Sequence, residues 1–439
     1  MLGLARSGIA AACLADRLGW HVALCDDRSV SAEGAPAGAE LLAPPRAMER
    51  LADFDLVVPS PGVPATHPLL VEARARGIRV LSEIELAASQ LDATLVAVTG
   101  TNGKSTTVTL VGAMLAAAGR RVFTGGNLGN PLSNAVGGGH EFAVAEVSSF
   151  QLEWVEHFHP HVGAMLNLSA DHLDRHGDME TYLATKLRLF ANMDGSDFAV
   201  LPRGQEWAER SAAGIKAKVS TFGLTDRRQD EGGIAVDAKA RRLLGDGGFV
   251  ANLPQAWPHF PHDLENAAAA AQIVRLLGGT PAAVEKGLAS FTPLRHRLAP
   301  VGMIGGVPCW NDSKATNVGA ALSSLRAFDR DVIVLCGGVS KGCDFKPLAR
   351  EAARIKLVVA YGQSAAEIEA ALSDSVTVVS QPGLRRALER AAAMSRPGDT
   401  ILLAPACASF DEFRDYVDRG EHFERWVADL ASAVDEVRR

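Results

Sequence analysis

Val96-Ala97-Val98-Thr99-Gly100-Thr101-Asn102-Gly103-Lys104-Ser105-Thr106 sets an apolar strand, a tight glycine-bearing loop and a helix start in direct succession. The helix is expected to run from Lys104 to about Gly119. That order is what a triphosphate needs: backbone N–H groups converge on anionic oxygens, a helix N-terminus stands behind them, and a lysine supplies a point charge. Gly100, Thr101, Asn102 and Gly103 form the cradle and Lys104 the phosphate ligand, while Ser105 or Thr106 offers a hydroxyl to a magnesium ion. The strict phosphate-loop pattern has a glycine where this chain has Val98, so a turn that happens to contain Gly103-Lys104-Ser105 is the competing reading.

Outward from the loop, 439 residues imply two or three domains. Apolar residues make up 47 % and charged residues 22 %, an ordinary globular balance. No apolar run reaches the roughly 18 residues of a membrane span, and no export signal opens the chain, so a cytoplasmic protein is expected. The net charge of −7 argues against a nucleic-acid partner. Cys13, Cys25, Cys309, Cys336, Cys343 and Cys407 form no CxxC pair and lie mostly in apolar surroundings, which predicts buried free thiols.

Strands alternate with helices throughout, the signature of parallel sheets with helices on their faces. Before the loop, Gly3-Leu4-Ala5-Arg6-Ser7-Gly8 resembles the first turn of a dinucleotide-type fold, with a helix from Ser7 to Leu18, although Ala5 replaces the middle glycine. Only Met1-Leu2 precedes it, so either the fold starts elsewhere or its first, normally central strand is missing. Strands are expected at His21–Cys25, Phe54–Val58 and Ile78–Leu81. Their C-terminal edge would gather Ser7, Asp26, Asp27, Arg28 and Ser60, and ligands of open parallel sheets bind at that edge. The loop Ser60-Pro61-Gly62-Val63-Pro64 reads equally well as a plain turn.

Beyond the loop, Glu146 sits inside the apolar strand Phe142–Val147. A charge there needs a partner, either a magnesium shared with the phosphates or solvent at a sheet edge. Asp171-His172-Leu173-Asp174-Arg175 follows another strand and suits a cation or a phosphate clamp. Lys186 lies in an amphipathic helix predicted over Met179–Met193, where a lone lysine reads as a solvated face residue. Residues 198–252 read as connecting β-structure, and the alanine run after Asn266 as helix propensity. A third α/β series opens at Leu294; Asn311-Asp312-Ser313-Lys314-Ala315-Thr316-Asn317 is a polar block after an apolar strand. The tail from about Glu412 predicts an amphipathic helix whose aromatics belong to a core. The domains are therefore set at 1–88, 89–293 and 294–439.

Taken in order, Gly100–Thr106, Gly126-Asn127-Leu128-Gly129, Glu146–Leu152, Asp171–Arg175, His296-Arg297, Asn311–Asn317 and Pro405-Ala406-Cys407-Ala408-Ser409 resemble the motifs of the Mur ligases. The last two blocks are closest to the glutamate-adding member. The resemblance covers the chain from Gly3 to its tail, with departures at Asp263, Val339 and the missing first strand. It implies a three-domain α/β fold: a Rossmann-like N-terminal domain, a central ATPase-like sheet and a Rossmann-like C-terminal domain. It also implies an ATP-dependent ligase joining D-glutamate to UDP-N-acetylmuramoyl-L-alanine in peptidoglycan synthesis. Two magnesium ions are implied, one on Ser105 and Glu146 and a second on His172, together with a carbamylated Lys186. Lys104 would hold the β/γ-phosphates. Asn266, His296, Arg297, Asp312 and Lys314 would form the nucleotide and reaction region, and Asn127 and Ser148 would touch the muramoyl-alanine arm. Thr316, Lys341, Ser409 and Phe410 would hold glutamate, and Ser7, Asp26, Asp27, Arg28 and Ser60 the uracil-diphosphate end. A monomer is expected. Rival readings are a folylpolyglutamate-type amide ligase, a phosphate-loop switch or motor, and a non-catalytic sugar-nucleotide binder.

Overall fold

The structure, a computed structural model, describes residues 1–28, 32–127, 129–224, 232–258, 260–292 and 295–438, with the backbone alone at 434–438. The boundary expected at 293/294 lies outside the described residues. The chain separates into two compact bodies. One comprises residues 1–167, 180–259 and 263–291; the other comprises 168–179, 260–262 and 292–439.

In the first body the N-terminal strands are short: β1 (Ala23–Leu24), β2 (Glu40–Leu41), β3 (Leu56–Val57) and β4 (Arg79–Val80), paired in parallel as β1–β2 and β3–β4. Leu2 joins the two pairs, because it bridges in parallel to Cys25 on one side and to Pro59 on the other. The sequence reading left only Met1-Leu2 where a first strand would lie, and Leu2 takes that place between the two pairs: Gly3 N–H donates to Cys25 O at 2.8 Å while Ser60 N–H donates to Leu2 O at 2.7 Å.

The same body holds a sheet built from β5 (Thr94–Thr99), β6 (Val122–Gly126), β7 (Phe142–Glu146), β8 (Val162–Met165), β9 (Phe198–Pro202), β10 (Lys218–Leu224), β11 (Gly233–Asp237), β12 (Arg242–Gly245) and β13 (Phe249–Asn252). Among the described residues its order is β13-β12-β11-β10-β9-β8-β5-β7-β6, parallel except where β12 meets its two neighbours. The stretch 198–252 thus extends the main sheet. Strand β5 is buried from Leu95 to Thr99, so it needs apolar residues on both faces rather than alternation. The helix Lys104–Ala117 covers it, and the helix Pro281–Ser290 approaches so closely that a Cβ on Gly287 would lie 2.6 Å from Met114 Cα. Ala267 to Ala271 of the helix Pro261–Leu276 are all fully buried. The alanine run therefore serves close packing as well as helix propensity.

The second body carries β14 (Ala299–Ile304), β15 (Val307–Asn311), β16 (Val332–Gly337), β17 (Ile355–Tyr361), β18 (Val378–Gln381) and β19 (Thr400–Ala406). Their order is β14-β15-β19-β16-β17-β18, parallel apart from the β14–β15 pair. Separate apolar clusters cover the two faces of this sheet, one around Val334, Leu402 and Ile368, the other around Leu335, Leu403 and Phe423. The final helix begins at Tyr416, later than the sequence suggested, because Asp415 Oδ1 accepts the N–H groups of Val417 and Asp418, both at 2.9 Å, and caps it there. Among the described residues no helix is long and apolar enough to cross a membrane.

Candidate active site

The loop after β5 forms as its sequence requires. Gly103 stands at φ +83°, just before the helix, and a Cβ there would lie 2.3 Å from Asn266 Oδ1. Asn266 is buried in its helix and also accepts the Thr107 hydroxyl at 3.4 Å. The other side of the loop is held by Asn167: its Oδ1 accepts Asn102 N–H at 2.9 Å, and its Nδ2 donates to Asn102 O at 3.0 Å. Sequence reasoning had assigned Asn167 no role. The signal was an amide side chain at the C-terminal end of a parallel strand next to the loop strand.

Charge gathers at this loop. Lys104 Nζ donates to Gly100 O at 2.8 Å and to Thr101 O at 2.9 Å. Lys186 Nζ reaches the same Gly100 oxygen at 3.0 Å and lies 4.6 Å from the centre of the Tyr182 ring. At 1 % exposure Lys186 is no solvated face residue, which corrects the reading made from its helix alone. Two ammonium groups on one carbonyl oxygen make a strongly anion-attracting corner.

Glu146 ends β7, paired with Val98 of β5 on one side and Gly126 of β6 on the other. Its buried carboxylate accepts Ser105 Oγ at 2.6 Å and Asn127 Nδ2 at 2.8 Å. The partner that a charge inside an apolar strand demanded is therefore a hydroxyl from the loop helix and an amide from the next strand end. Ser105 and Glu146 form a compact hard-oxygen donor set, the chemistry a magnesium ion selects. Ser148 is half-buried and caps a short helix through a reciprocal pair with Gln151.

At the N-terminal edge Ser60 Oγ donates to Gly3 O at 2.7 Å, and Asp26 Oδ2 accepts Leu4 N–H at 2.8 Å. Burial works against the charged form of Asp26, but the N–H groups of Leu4 and Arg28 and the Arg28 guanidinium outweigh it and hold the carboxyl below its ordinary value. Asp27 meets His67 Nε2 at 3.0 Å. Asp26, Arg28, Ser60 and the Gly3–Gly8 turn thus share one edge, as their places at the strand ends required.

In the second body Asp171 is the hub. Lys341 Nζ lies 3.1 Å from its Oδ1, and Asn317 Nδ2 donates to Oδ2 at 2.9 Å while Asn317 Oδ1 caps the helix Val318–Leu325. His172 stands at φ +55° with its Nε2 3.6 Å from the same carboxylate. Burial raises the Asp171 carboxyl, yet Lys341, His172 and Asn317 together bring it below its ordinary value of 3.8. A carboxyl lowered in the folded state contributes stability above its unfolded value and loses that contribution as pH falls through the folded one. As pH falls below about 4 the Asp171→Asn variant should accordingly lose less melting temperature than the parent chain; parallel melting curves would count against this.

His296 is 1 % exposed, and its ring packs where a Gly420 Cβ would sit, only 2.3 Å from Nδ1. Burial pushes the imidazole below its ordinary value, against the pull of Glu424. Asp312 accepts the Ser324 hydroxyl, and burial raises its carboxyl. Lys314 Nζ lies 4.0 Å from the centre of the Tyr416 ring. Ser409 is buried and Phe410 is 71 % exposed. Arg419, which sequence reasoning passed over, is fully buried and ties the two polar blocks together: it donates to Ser313 Oγ and Ser313 O, both at 2.9 Å, and to Cys407 O at 3.1 Å. Its signal was a charge on the apolar face of the tail helix, four residues before Phe423 and directly before Gly420.

Two family models match this chain: the Mur ligase middle domain over residues 98–273 and the Mur ligase glutamate ligase domain over residues 296–407. A UDP-N-acetylmuramoylalanine–D-glutamate ligase from Desulfatibacillum aliphaticivorans is 39 % identical over 440 residues, covering 97 % of each chain. The chain belongs to the Mur ligase family. The protein of the same description from Anaeromyxobacter dehalogenans is 41 % identical over 461 residues, covering 98 % of this chain and 97 % of its own. Solved Mur ligases share the fold. A MurF ligase from Thermotoga maritima in complex with ADP has a TM-score of 0.62 at 19 % identity, covering 97 % of this chain and 91 % of that one. A UDP-N-acetylmuramate-alanine ligase from the same organism has a TM-score of 0.58 at 19 % identity and covers 98 % of both chains. As a Mur ligase the chain is an ADP-forming amide ligase.

Proposed function

We propose that this chain joins D-glutamate to UDP-N-acetylmuramoyl-L-alanine at the expense of ATP, releasing ADP and phosphate, as a monomer in the cytoplasm. The observation that carries the substrate assignment is the 39 % identity, over 97 % of both chains, to a relative named for that reaction. The chemistry follows from charge. A carboxylate is a poor electrophile, so its oxygen first attacks the γ-phosphorus of ATP; the bond to the β–γ bridging oxygen breaks and ADP leaves. The amine of glutamate then attacks the acyl phosphate carbon, gives up a proton, and phosphate departs.

Lys104 holds the β/γ-phosphates in this reading, exchanging its bonds to Gly100 O and Thr101 O for phosphate oxygens. Ser105 and Glu146 would hold one magnesium ion and His172 a second; when bound, such ions neutralise the two anions that must approach each other. Lys186, carbamylated, would add an anionic oxygen ligand to that set. Asn127, already on Glu146, would touch the muramoyl-alanine arm together with Ser148. Asn266, Arg297, Asp312 and Lys314 serve the nucleotide, and the buried His296 braces that region against the tail helix as a positioning residue. Thr316, Lys341, Ser409 and Phe410 serve glutamate, whose carboxylate competes with Asp171 for the Lys341 ammonium. Ser7, Asp26, Asp27, Arg28 and Ser60 serve the uracil-diphosphate end. Residues 1–88, 89–293 and 294–439 thereby divide the three reactants among them.

The test is ADP release measured with both acceptor and D-glutamate present, and with each omitted in turn. ADP should form at a substantial rate only with both. Equal release when either is left out would sink the reading, and preference for L-glutamate or a pteroyl acceptor would move the chain to another amide ligase.

A further inference from the structure

The sheet edge opposite the phosphate loop carries another group of metal-ligating side chains. His157-Phe158-His159-Pro160-His161 leads into β8, and Asp194-Gly195-Ser196-Asp197 leads into β9. Phe158 and Pro160 are buried while His157 and His159 are exposed, so the segment turns its imidazoles outward at every second residue. Strands β8 and β9 pair in parallel with Val162 opposite Phe198, and that register sets His161 against Asp197. The phosphate loop follows β5, which is parallel to β8, so the length of a strand, roughly 15 Å, separates the two places.

Asp197 stands at the centre of the group. Its buried carboxylate meets His159 Nε2 at 2.6 Å through Oδ2 and His161 Nδ1 at 3.1 Å through Oδ1, and Oδ2 also accepts Asp194 N–H at 2.8 Å. Ligand atoms of His159, Asp194 and Asp197 all lie within 4.8 Å of one another. The backbone under them is pinned by the sheet. His161 N–H donates to Leu95 O at 2.9 Å, Phe198 N–H to His161 O at 3.0 Å and Lys218 N–H to Asp197 O at 2.9 Å. Asn192 Nδ2 donates to Glu156 O at 2.9 Å and so ties the histidine segment to the turn before Asp194. Asp194 Oδ1 accepts the Ser196 N–H at 2.8 Å and its hydroxyl at 2.7 Å, which fixes that carboxylate at the exposed rim. Two imidazoles would suffice to satisfy Asp197. The second carboxylate beside it adds like-charge repulsion, which a cation between the two relieves.

We propose that His159, Asp194 and Asp197 bind one divalent transition-metal ion of the zinc type, with His161 hydrogen-bonded to the far oxygen of Asp197 and water completing the shell. One imidazole with two carboxylates is a mixed nitrogen and oxygen set, which zinc accepts and which magnesium, a hard ion, does not favour. The ion takes the place of the hydrogen between His159 Nε2 and Asp197 Oδ2, with the imidazole proton on Nδ1. Ligand atoms about 2.1 Å from one ion stand roughly 3.4 Å apart in a tetrahedron, so the exposed His159 ring backs off by less than about 1 Å. Bound there, the ion staples the starts of β8 and β9 together and leaves the phosphate loop untouched. The site stands on its own geometry, whether or not the substrate assignment above holds.

The test is calorimetric titration of the full chain with zinc chloride under a large excess of magnesium, repeated on His159→Gln, Asp194→Asn and, as a control, His157→Gln. His159 and Asp194 are exposed, and melting curves without zinc check that each variant is folded. The parent should bind one zinc ion in the micromolar range and gain a few degrees of melting temperature at saturating zinc. His159→Gln and Asp194→Asn should each weaken binding roughly tenfold or more and remove that gain, whereas His157→Gln should change neither. Unchanged zinc affinity in His159→Gln would overturn the proposal by placing the ion elsewhere. So would a parent chain that takes up no zinc under magnesium. An equal loss in His157→Gln would also sink it, as the mark of unspecific capture by surface imidazoles.

Discussion

Lys104→Met is expected to lower kcat/KM for ADP formation by about 10³-fold while leaving the melting temperature within a few degrees of the parent chain. The size follows from what the ammonium does. Its bonds in the structure go to the carbonyl oxygens of Gly100 and Thr101, its own loop, so it is held over the cradle ready to turn onto an anion. Removing one preorganised donor from a developing charge costs about 10²–10³ in rate. A full positive charge in a half-buried corner sits at the upper end of that range. Methionine keeps the stem volume and helix propensity, and the loop it leaves is still pinned by Asn167 and Asn266. The competing assignment is that Lys186, on the same Gly100 oxygen, is the phosphate ligand and Lys104 only a loop brace. Steady-state kinetics with calorimetry of an ATP analogue separates them: near-parent turnover in Lys104→Met would transfer the role to Lys186.

What the sequence made legible depended on range. The phosphate loop could be read because its strand, its glycines and its helix start are contiguous, and each leaves a local mark. Glu146 could be read because a charge inside an apolar strand is an anomaly, and the structure answers it with Ser105 and Asn127. The strand-end cluster of Asp26, Arg28 and Ser60 followed from topology alone, since parallel strands deliver their C-terminal residues to one edge. Lys186 was misread from its own helix because the fact that decides it, contact with Gly100 O, lies 86 residues away. Asn317 was quoted within a motif, yet its second bond goes to Asp171, 146 residues earlier. Met1-Leu2 are too short to show a period, so the place of Leu2 between Cys25 and Pro59 comes from the pairing alone.

Arg419→Leu should destabilise the chain by about 3–5 kcal/mol, since hydrogen bonds from a charged group are worth roughly 1.5–3 kcal/mol each and three are lost together. The guanidinium is fully buried and donates to Ser313 Oγ, Ser313 O and Cys407 O. Leucine takes a donor away from all three oxygens, leaving the Ser313 hydroxyl only its bond to Tyr416 O, and it fills less of the space. At roughly 2–4 °C per kcal/mol for a body of this size, the melting temperature should fall by about 10 °C or more. Arg419→Lys distinguishes fork geometry from charge alone: a single ammonium cannot span Ser313 and Cys407 as the planar group does, so it should recover only part of the loss. The consequence for activity is equally specific. Ser313 lies between Asp312 and Lys314, and Cys407 lies two residues before Ser409, so Arg419 sets the spacing of the two polar blocks without being placed on a reactant. At a temperature where Arg419→Lys remains folded, KM for glutamate should therefore rise more than kcat falls. A melting temperature within 2 °C or so of the parent for Arg419→Leu would show that the arginine is a tolerated burial rather than the tie between the blocks.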